Sequence, residues 1–358
     1  MEDVKVPVEN VLGEIGKGHK IAFNILNVGR YKLGVGAVGA CKAAIGEALA
    51  YALERKQFGK RIAEFGMIRE KLADMFVKTY AAEAMSYRTV GLIDALMEAS
   101  DHSPEASLKA IEEYSIECAM VKVVGSEVLD FVVDENLQIH GGYGYCSEYT
   151  AERHYRDARI NRIFEGTSEV NRLLIPAMLL RKGMKGELPL FQAAKALADE
   201  LLDIPNLDMD AELETLGSEA TVVENLKKIC IFVAGSAAQK FGVKLSDEQE
   251  LLARTADLAM LAYTAESTYL RALKEVKAKG EDAAAIAVAA AQITCETAMS
   301  QAELIAREAT AALAEGDVLM TMLAGLRRLS RRTSANTIAL KKMIGNKMIE
   351  DERVPFAL

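Results

Sequence analysis

Glu165 stands between an apolar run, Arg159-Ile160-Asn161-Arg162-Ile163-Phe164, and the segment Gly166-Thr167-Ser168-Glu169. A carboxylate against the apolar wall of Phe164 has its charged form disfavoured, which moves its pKa towards the working range of a general base. Gly166 lets a substrate come close to backbone amides. Those are the parts for taking a proton next to a carbonyl. The same residues also read as a plain helix start, with Thr167 as cap, Glu169 in the first turn and Glu165 as a loop acid. On this segment alone that second reading is the simpler one. Upstream, Gln138-Ile139-His140-Gly141-Gly142-Tyr143-Gly144-Tyr145 is a glycine-rich turn between helical segments. By itself it is a weak phosphate signal, and without a preceding strand it excludes a Rossmann fold.

The elements that must position these residues are helical. A helix is expected from about 19 to 54, carrying Gly29, Gly34, Gly36, Gly39 and Gly46 among alanines, a composition explained by close approach of neighbouring helices. Arg30 is a cation on that smooth surface and needs a partner. The helix runs into Arg55-Lys56-Gln57-Phe58-Gly59-Lys60, where Gly59 would stop it and the bases complement its C-terminal dipole. A second helix over 67–99 has Met67, Ile68, Leu72, Met75, Phe76 and Tyr80 at core spacing. A third starts at Ser103-Pro104-Glu105 and runs to about Asn136. With the segment 167–181 these make a four-helix up-and-down bundle.

Residues 183–214 read as a linker containing Pro205. Helices at 215–241, 247–279, 281–313 and 317–349 then form a second bundle, so the fold class is all-α, with a first bundle over 19–182 and an extension over 215–358. The last helix carries Arg327, Arg328, Arg331, Arg332, Lys341, Lys342 and Lys347. Residues 324–347 could rest on an anionic membrane or find acidic partners within the chain. Val4, Val6 and Val8 alternate before a glycine-rich turn, so residues 1–18 read as one strand and a turn. A lone strand needs a sheet that the rest of the sequence does not offer.

A chain of 358 residues, half of them hydrophobic, can bury the cores of two domains. Scarce proline and absent tryptophan beside abundant alanine, leucine and glutamate agree with an all-helical chain. The net charge of −9 argues against nucleic acid as the main partner. Cys41, Cys118, Cys146, Cys230 and Cys295 are scattered, as suits reduced thiols in a cytoplasm, and no pair has metal-ligand spacing. No signal peptide is seen, and no apolar run reads as long and uncharged enough to cross a bilayer.

Three ordered blocks resemble the acyl-CoA dehydrogenases: Tyr51-Ala52-Leu53-Glu54-Arg55-Lys56-Gln57-Phe58-Gly59-Lys60, the glycine-rich turn at 138–145, and Arg156-Asp157-Ala158-Arg159-Ile160 followed by Phe164-Glu165-Gly166-Thr167-Ser168-Glu169. Asn27-Val28-Gly29-Arg30, Phe65-Gly66 and Glu70-Lys71-Leu72-Ala73, with the helical extension, look most like the long-chain and very-long-chain branch. The resemblance covers residues 1 to about 185 well. It implies that Glu165 removes the α-proton of an acyl-CoA thioester, with FAD taking the hydride to give a trans-2-enoyl-CoA. It places Asn27, Gly29, Arg30, Phe164 and Gly166 at the acyl-CoA. It assigns Arg55, Gln57 and Phe58 to FAD across a subunit boundary, and Gln138, Gly141, Gly142, Thr167 and Glu169 to the nucleotide part of the flavin.

Some relatives carry the base immediately before the substrate arginine; here that residue is Gly29, which leaves Glu165 as base. The resemblance further implies electron-transfer flavoprotein as electron acceptor and a homodimer or homotetramer. The opening phrase looks like the last strand of a middle β-domain, so a C-terminal part is expected, inactive when isolated. A non-catalytic helical interaction module and an acyl-CoA oxidase are the competing readings.

Overall fold

The computed structural model describes residues 2–202 and 215–356. Helix α1 (Gly18–Glu54) is followed by α2 (Gly66–Glu98), α3 (Pro104–Glu113), α4 (Ser115–His140), the short α5 (Ala151–Ala158) and α6 (Ser168–Met184). Core side chains at helical spacing close the first bundle: Cys41, Ile45 and Leu49 of α1, Leu72, Met75 and Phe76 of α2, and Leu129, Val132 and Val133 of α4 form one buried cluster. Helices α1 and α4 run parallel, as first and third members of an up-and-down series. Gly34 lies on Val121, and Tyr51 stacks on His140 with ring centroids 4.1 Å apart.

That crossing is where glycine is needed. A Cβ on Gly34 would stand 2.5 Å from the Val121 carbonyl oxygen, and one on Gly125 would stand 2.8 Å from the Gly34 carbonyl oxygen. Gly36, Gly39 and Gly46 do not share this role, since a Cβ there meets nothing within 4 Å. Close packing thus explains one glycine of that group, and Gly29 answers to the site. Alanine and glycine also make α1 long and apolar enough to meet the length and composition of a membrane-crossing helix, contrary to the sequence reading. Its buried face packs on α2 and α4.

Several boundaries differ from those read in the sequence. Residues 2–17 hold a 3-10 turn at Val8–Asn10 and no strand, because no partner strand is offered. The third helix is broken at Tyr114 (φ −99°, ψ 23°), which lets α3 turn off the axis of α4; the Ser103 hydroxyl caps α3 by accepting from the Ala106 amide at 3.1 Å. Helix α1 ends at Glu54 without Gly59. Instead β1 (Lys56–Gln57) and β2 (Lys60–Arg61) pair antiparallel, Lys56 opposite Arg61, around a turn in which Phe58 (φ 51°) and Gly59 (φ 81°) are both left-handed. Phe58 stands 90% exposed at the hairpin tip.

The expected linker contains α7 (Leu190–Leu202), whose Leu197 is buried in the second core; Pro205, with the rest of 203–214, lies outside the described residues. The extension is α8 (Gly217–Phe241), α9 (Gln249–Lys279), α10 (Ala285–Leu313), α11 (Gly316–Ser330) and α12 (Thr337–Glu350). One final helix was expected where α11 and α12 stand apart, separated by residues 331–336 and restarted by the Asn336 cap on the Ala339 amide.

Helix α9 clamps the extension to the first bundle. Arg271 reaches the buried Glu83, Arg88 reaches Glu266 at 2.8 Å, and Arg172 bridges Glu127 of α4 and Asp257 of α9. The basic end of the chain is drawn inward in the same way. Arg332 pairs with Glu296, Lys341 with Glu70 and Asp74, Lys347 with Asp351, and Arg328 donates to the Glu200 carbonyl. Three of the seven bases named in this segment thus have carboxylate partners within the chain.

Candidate active site

Two left-handed residues in a row make the site. Glu165 (φ 58°) and Gly166 (φ 80°) follow a 3-10 turn at Arg159–Arg162 and precede α6, whose Thr167 cap accepts from the Val170 amide at 3.2 Å. A glutamate in this region costs about 1–2 kcal/mol relative to a right-handed conformation, so its surroundings must hold it there. They do so from two sides. The fully buried Asn171 donates its amide to the carbonyls of Gly166 (2.8 Å) and Thr167 (3.0 Å), and Arg30 Nε donates to the Glu165 carbonyl at 3.3 Å.

The turn throws the Glu165 side chain back onto α1 at Gly29. A Cβ on Gly29 would stand 2.6 Å from Glu165 Oε2, so the carboxylate occupies the space any other residue's side chain would take. The helical position and the loop position for a base therefore converge on one spot, and only one can be filled. Gly29→Ala is expected to evict the carboxylate and cut turnover about 10- to 100-fold, the effect of an ångström-scale misplacement, while circular dichroism and melting stay near wild type. An alanine variant with unchanged turnover would mean that the carboxylate works elsewhere.

Arg30, 6% exposed, is held by the Glu165 carbonyl and by Asn27, whose Oδ1 accepts from Nη1 at 3.1 Å. Burial pushes its pKa down, against the charge of Glu165, which holds it up. No carboxylate lies within ion-pair distance of Arg30 among the described residues, so the ion-pair account of this cation gives way to one in which it faces the base loop. Phe164 is 47% exposed, a partial wall and not the enclosing one expected. Thr167 and Glu169 stand beside the base, and the Glu169 carboxyl is held low first by its own backbone amide and then by the Thr167 hydroxyl.

A second cluster forms at the other end of α1. Arg55, Gln57, Gly141 and Gly142 line one open cleft of about 450 Å³ with Tyr51, His140 and Tyr143. Arg55 lies over the Tyr143 ring at 5.3 Å, and Gly141 (φ 60°) ends α4 so that the backbone of 141–142 faces the cleft. Gln138 is exposed on the last turn of α4, and its carbonyl accepts from the Gly141 amide. The structure does not bring Thr167 and Glu169 to this cleft, so the nucleotide residues read as one site fall into two. With α1 as ruler, Gly29 and Tyr51 are about 33 Å apart at 1.5 Å per residue.

Two buried polar residues escaped the sequence reading. Asn171 sits one turn into α6, where its only signal was an amide just past the cap. Lys122 is fully buried in α4, and its signal was a lone lysine in Cys118-Ala119-Met120-Val121-Lys122-Val123-Val124-Gly125.

The sequence profile described as "Acyl-CoA dehydrogenase, C-terminal domain" matches residues 16–180, and a second profile of the same description matches residues 225–328. A "Probable acyl-CoA dehydrogenase" of Bacillus subtilis is 46% identical over 357 residues, covering 99% of this chain and 60% of that protein. The crystal structure of an acyl-CoA dehydrogenase complexed with FAD from Bacillus anthracis superposes with a TM-score of 0.95 at 50% identity, over 99% of this chain and 61% of that one. The rat mitochondrial very long-chain specific acyl-CoA dehydrogenase is 43% identical over 174 residues, 49% of this chain and 24% of that protein. The chain thus spans about three fifths of the length of its Bacillus relatives.

Proposed function

This chain belongs to the acyl-CoA dehydrogenase family, and from that premise we propose that it carries the base and part of the flavin site of an enzyme that oxidises an acyl-CoA thioester to the trans-2-enoyl-CoA. The observation that carries the reading is the Glu165 carboxylate seated on Gly29 beside Arg30. In this reading Glu165 takes the proton from the carbon next to the thioester carbonyl. The backbone amide of the same residue, fixed by the left-handed turn, donates to that carbonyl and stabilises the charge that develops there. Arg30 and Asn27 hold the thioester end of the substrate over α1.

The residues present suit FAD. The capped start of α6 offers free amides beside the base, Ser168 Oγ is buried there without a partner, and the Arg55 cleft offers a guanidinium and an uncluttered glycine backbone to a pyrophosphate. FAD, when bound, supplies the acceptor for the hydride leaving the β-carbon. Thr167 and Glu169 would hold one such flavin next to Glu165, while Arg55, Gln57, Phe58, Gly141 and Gly142 would hold the nucleotide part of another. The separation of about 33 Å between the two clusters (about 22 residues of helix) supports a flavin site completed by a second copy. We place the acyl group in the long-chain class, on the strength of the helical extension and the mitochondrial relative, and electron-transfer flavoprotein as the protein that reoxidises the flavin.

Co-expression tests the two-chain site. Arg55→Ala and Glu165→Gln should each be nearly inactive alone. Together they should recover about one quarter of wild-type turnover, since half the dimers are mixed and each has one intact site of two. Absence of recovery, with mixed dimers present by mass, would place both clusters in separate functions.

A further inference from the structure

Glu47, Tyr51 and Arg55 follow at four-residue spacing on one face of α1 and just past its end, and each grips the segment that joins α4 to α5. Arg55 lies over the Tyr143 ring, and Tyr51 stacks on His140. Glu47 meets donors from three places. Asn136, fully buried one turn before the end of α4, donates its amide at 3.0 Å; Thr150, immediately before α5, donates its hydroxyl; and His154 Nδ1 of α5 stands 3.1 Å away. Thr150 occupies the N-cap position of α5, where a threonine hydroxyl ordinarily accepts from an amide of the first turn; it makes no such bond and turns to Glu47 instead. A cap of that kind contributes about 1 kcal/mol, so α5 forgoes it for the contact with α1. The loop between α4 and α5 needs the tether. A Cβ on Gly141 or Gly142 would meet nothing within 4 Å, so the backbone that faces the cleft has no packing of its own. Gly144 closes the near end on the last turn of α4, where a Cβ would stand 2.6 Å from the Leu137 carbonyl oxygen. The far end runs to Thr150 through Tyr149, whose ring meets those of Tyr51, His140 and Tyr143 with centroids 5.5–6.0 Å apart.

We propose that Glu47 is a positioning residue for the nucleotide part of the flavin: by holding Asn136 before the glycine-rich loop and Thr150 after it, its carboxylate fixes the Gly141–Gly142 backbone opposite Arg55. Glu47 does not itself line the cleft. It acts through the two ends of the loop, while Arg55, about two turns further along the same helix, is carried at a constant distance from them. The inference rests on the reading of the Arg55 cleft as the nucleotide site.

The test is the dissociation constant of FAD, read from the quenching of flavin fluorescence as the flavin-depleted enzyme is titrated. Thr150→Val takes the hydroxyl from Glu47, disturbs no cap and leaves Asn136 paired. Its apoprotein should melt within about two degrees of wild type. FAD should bind about fivefold more weakly, a part of what a hydrogen bond to a charged group contributes. Thr150→Ser keeps the hydroxyl and should restore wild-type affinity. Glu47→Ala should weaken FAD about tenfold, and adding Thr150→Val to it should weaken binding no further, because the tether is already gone. A role in stability alone gives the reverse: a lower apoprotein melting temperature for Thr150→Val, effects that add in the double variant, and unchanged FAD affinity wherever the protein is folded. Should Glu47→Ala fail to fold because Asn136 is left unpaired, Thr150→Val against Thr150→Ser carries the test alone. Wild-type FAD affinity in Thr150→Val overturns the proposal. Wild-type affinity in Arg55→Ala would instead remove the nucleotide reading of the cleft, so the two failures are told apart.

Discussion

Glu165→Gln is expected to lower turnover about 10²- to 10⁴-fold, the contribution of a single general base, while leaving the flavin absorbance and the fold in place. The amide has the same shape, so the contact with Gly29 survives and the left-handed turn is still held by Asn171 and Arg30. What is lost is the ability to accept a proton. The competing account, in which Glu165 is only a loop acid before a capped helix, expects no change in turnover from this substitution. Stopped-flow reduction of the flavin by an acyl-CoA under anaerobic conditions isolates the step, because it reads proton and hydride removal before any electron acceptor takes part. A near-normal reduction rate would remove Glu165 from the chemistry. The measurement also separates dehydrogenase from idle interaction module, since a module inherits the residues without the rate.

Most helices were legible in the sequence because apolar residues recur at helical spacing in α1, α2, α4 and α8 to α10. The breaks were not. Tyr114 and residues 331–336 interrupt patterns that remain apolar and helix-favouring on both sides, and α7 lies in a stretch whose glycines and proline suggested a linker. The candidate site was legible as residue types and wording, including the Glu165 and Arg30 that the structure brings together. Its geometry was not, because the contact between Gly29 and Glu165 joins positions far apart in the chain, and no local pattern says that a glycine in a helix is the seat of a carboxylate. Nor could the sequence show that the nucleotide residues divide into two clusters. That follows from the length of α1, which carries Arg30 in its first half and runs on to Arg55 just past its end.

Gly34→Ala is expected to destabilise the protein by about 3 kcal/mol, at the upper end for overpacking, because the added methyl meets the Val121 backbone as well as its side chain, and the backbone cannot turn aside. Its Cβ would stand 2.5 Å from both the carbonyl oxygen and the Cγ1 of Val121, and the reciprocal contact of Gly125 on the Gly34 carbonyl leaves no direction in which α1 and α4 can slide to relieve it. The helices must part. Gly91→Ala on the exposed face of α2 is the control: nothing lies within 4 Å of its Cβ, and replacing glycine in a helix interior should stabilise by about 0.5–1 kcal/mol. Opposite shifts of the denaturation midpoint at unchanged slope would establish that the α1–α4 crossing sets the stability of the first bundle. Equal shifts would show that the crossing relaxes easily. The same crossing carries Arg30 one turn away, so a parted pair of helices admits water to that buried cation and loosens the loop whose Glu165 carbonyl it holds. Turnover of Gly34→Ala at a temperature where it is still folded should therefore fall, whereas that of Gly91→Ala should not.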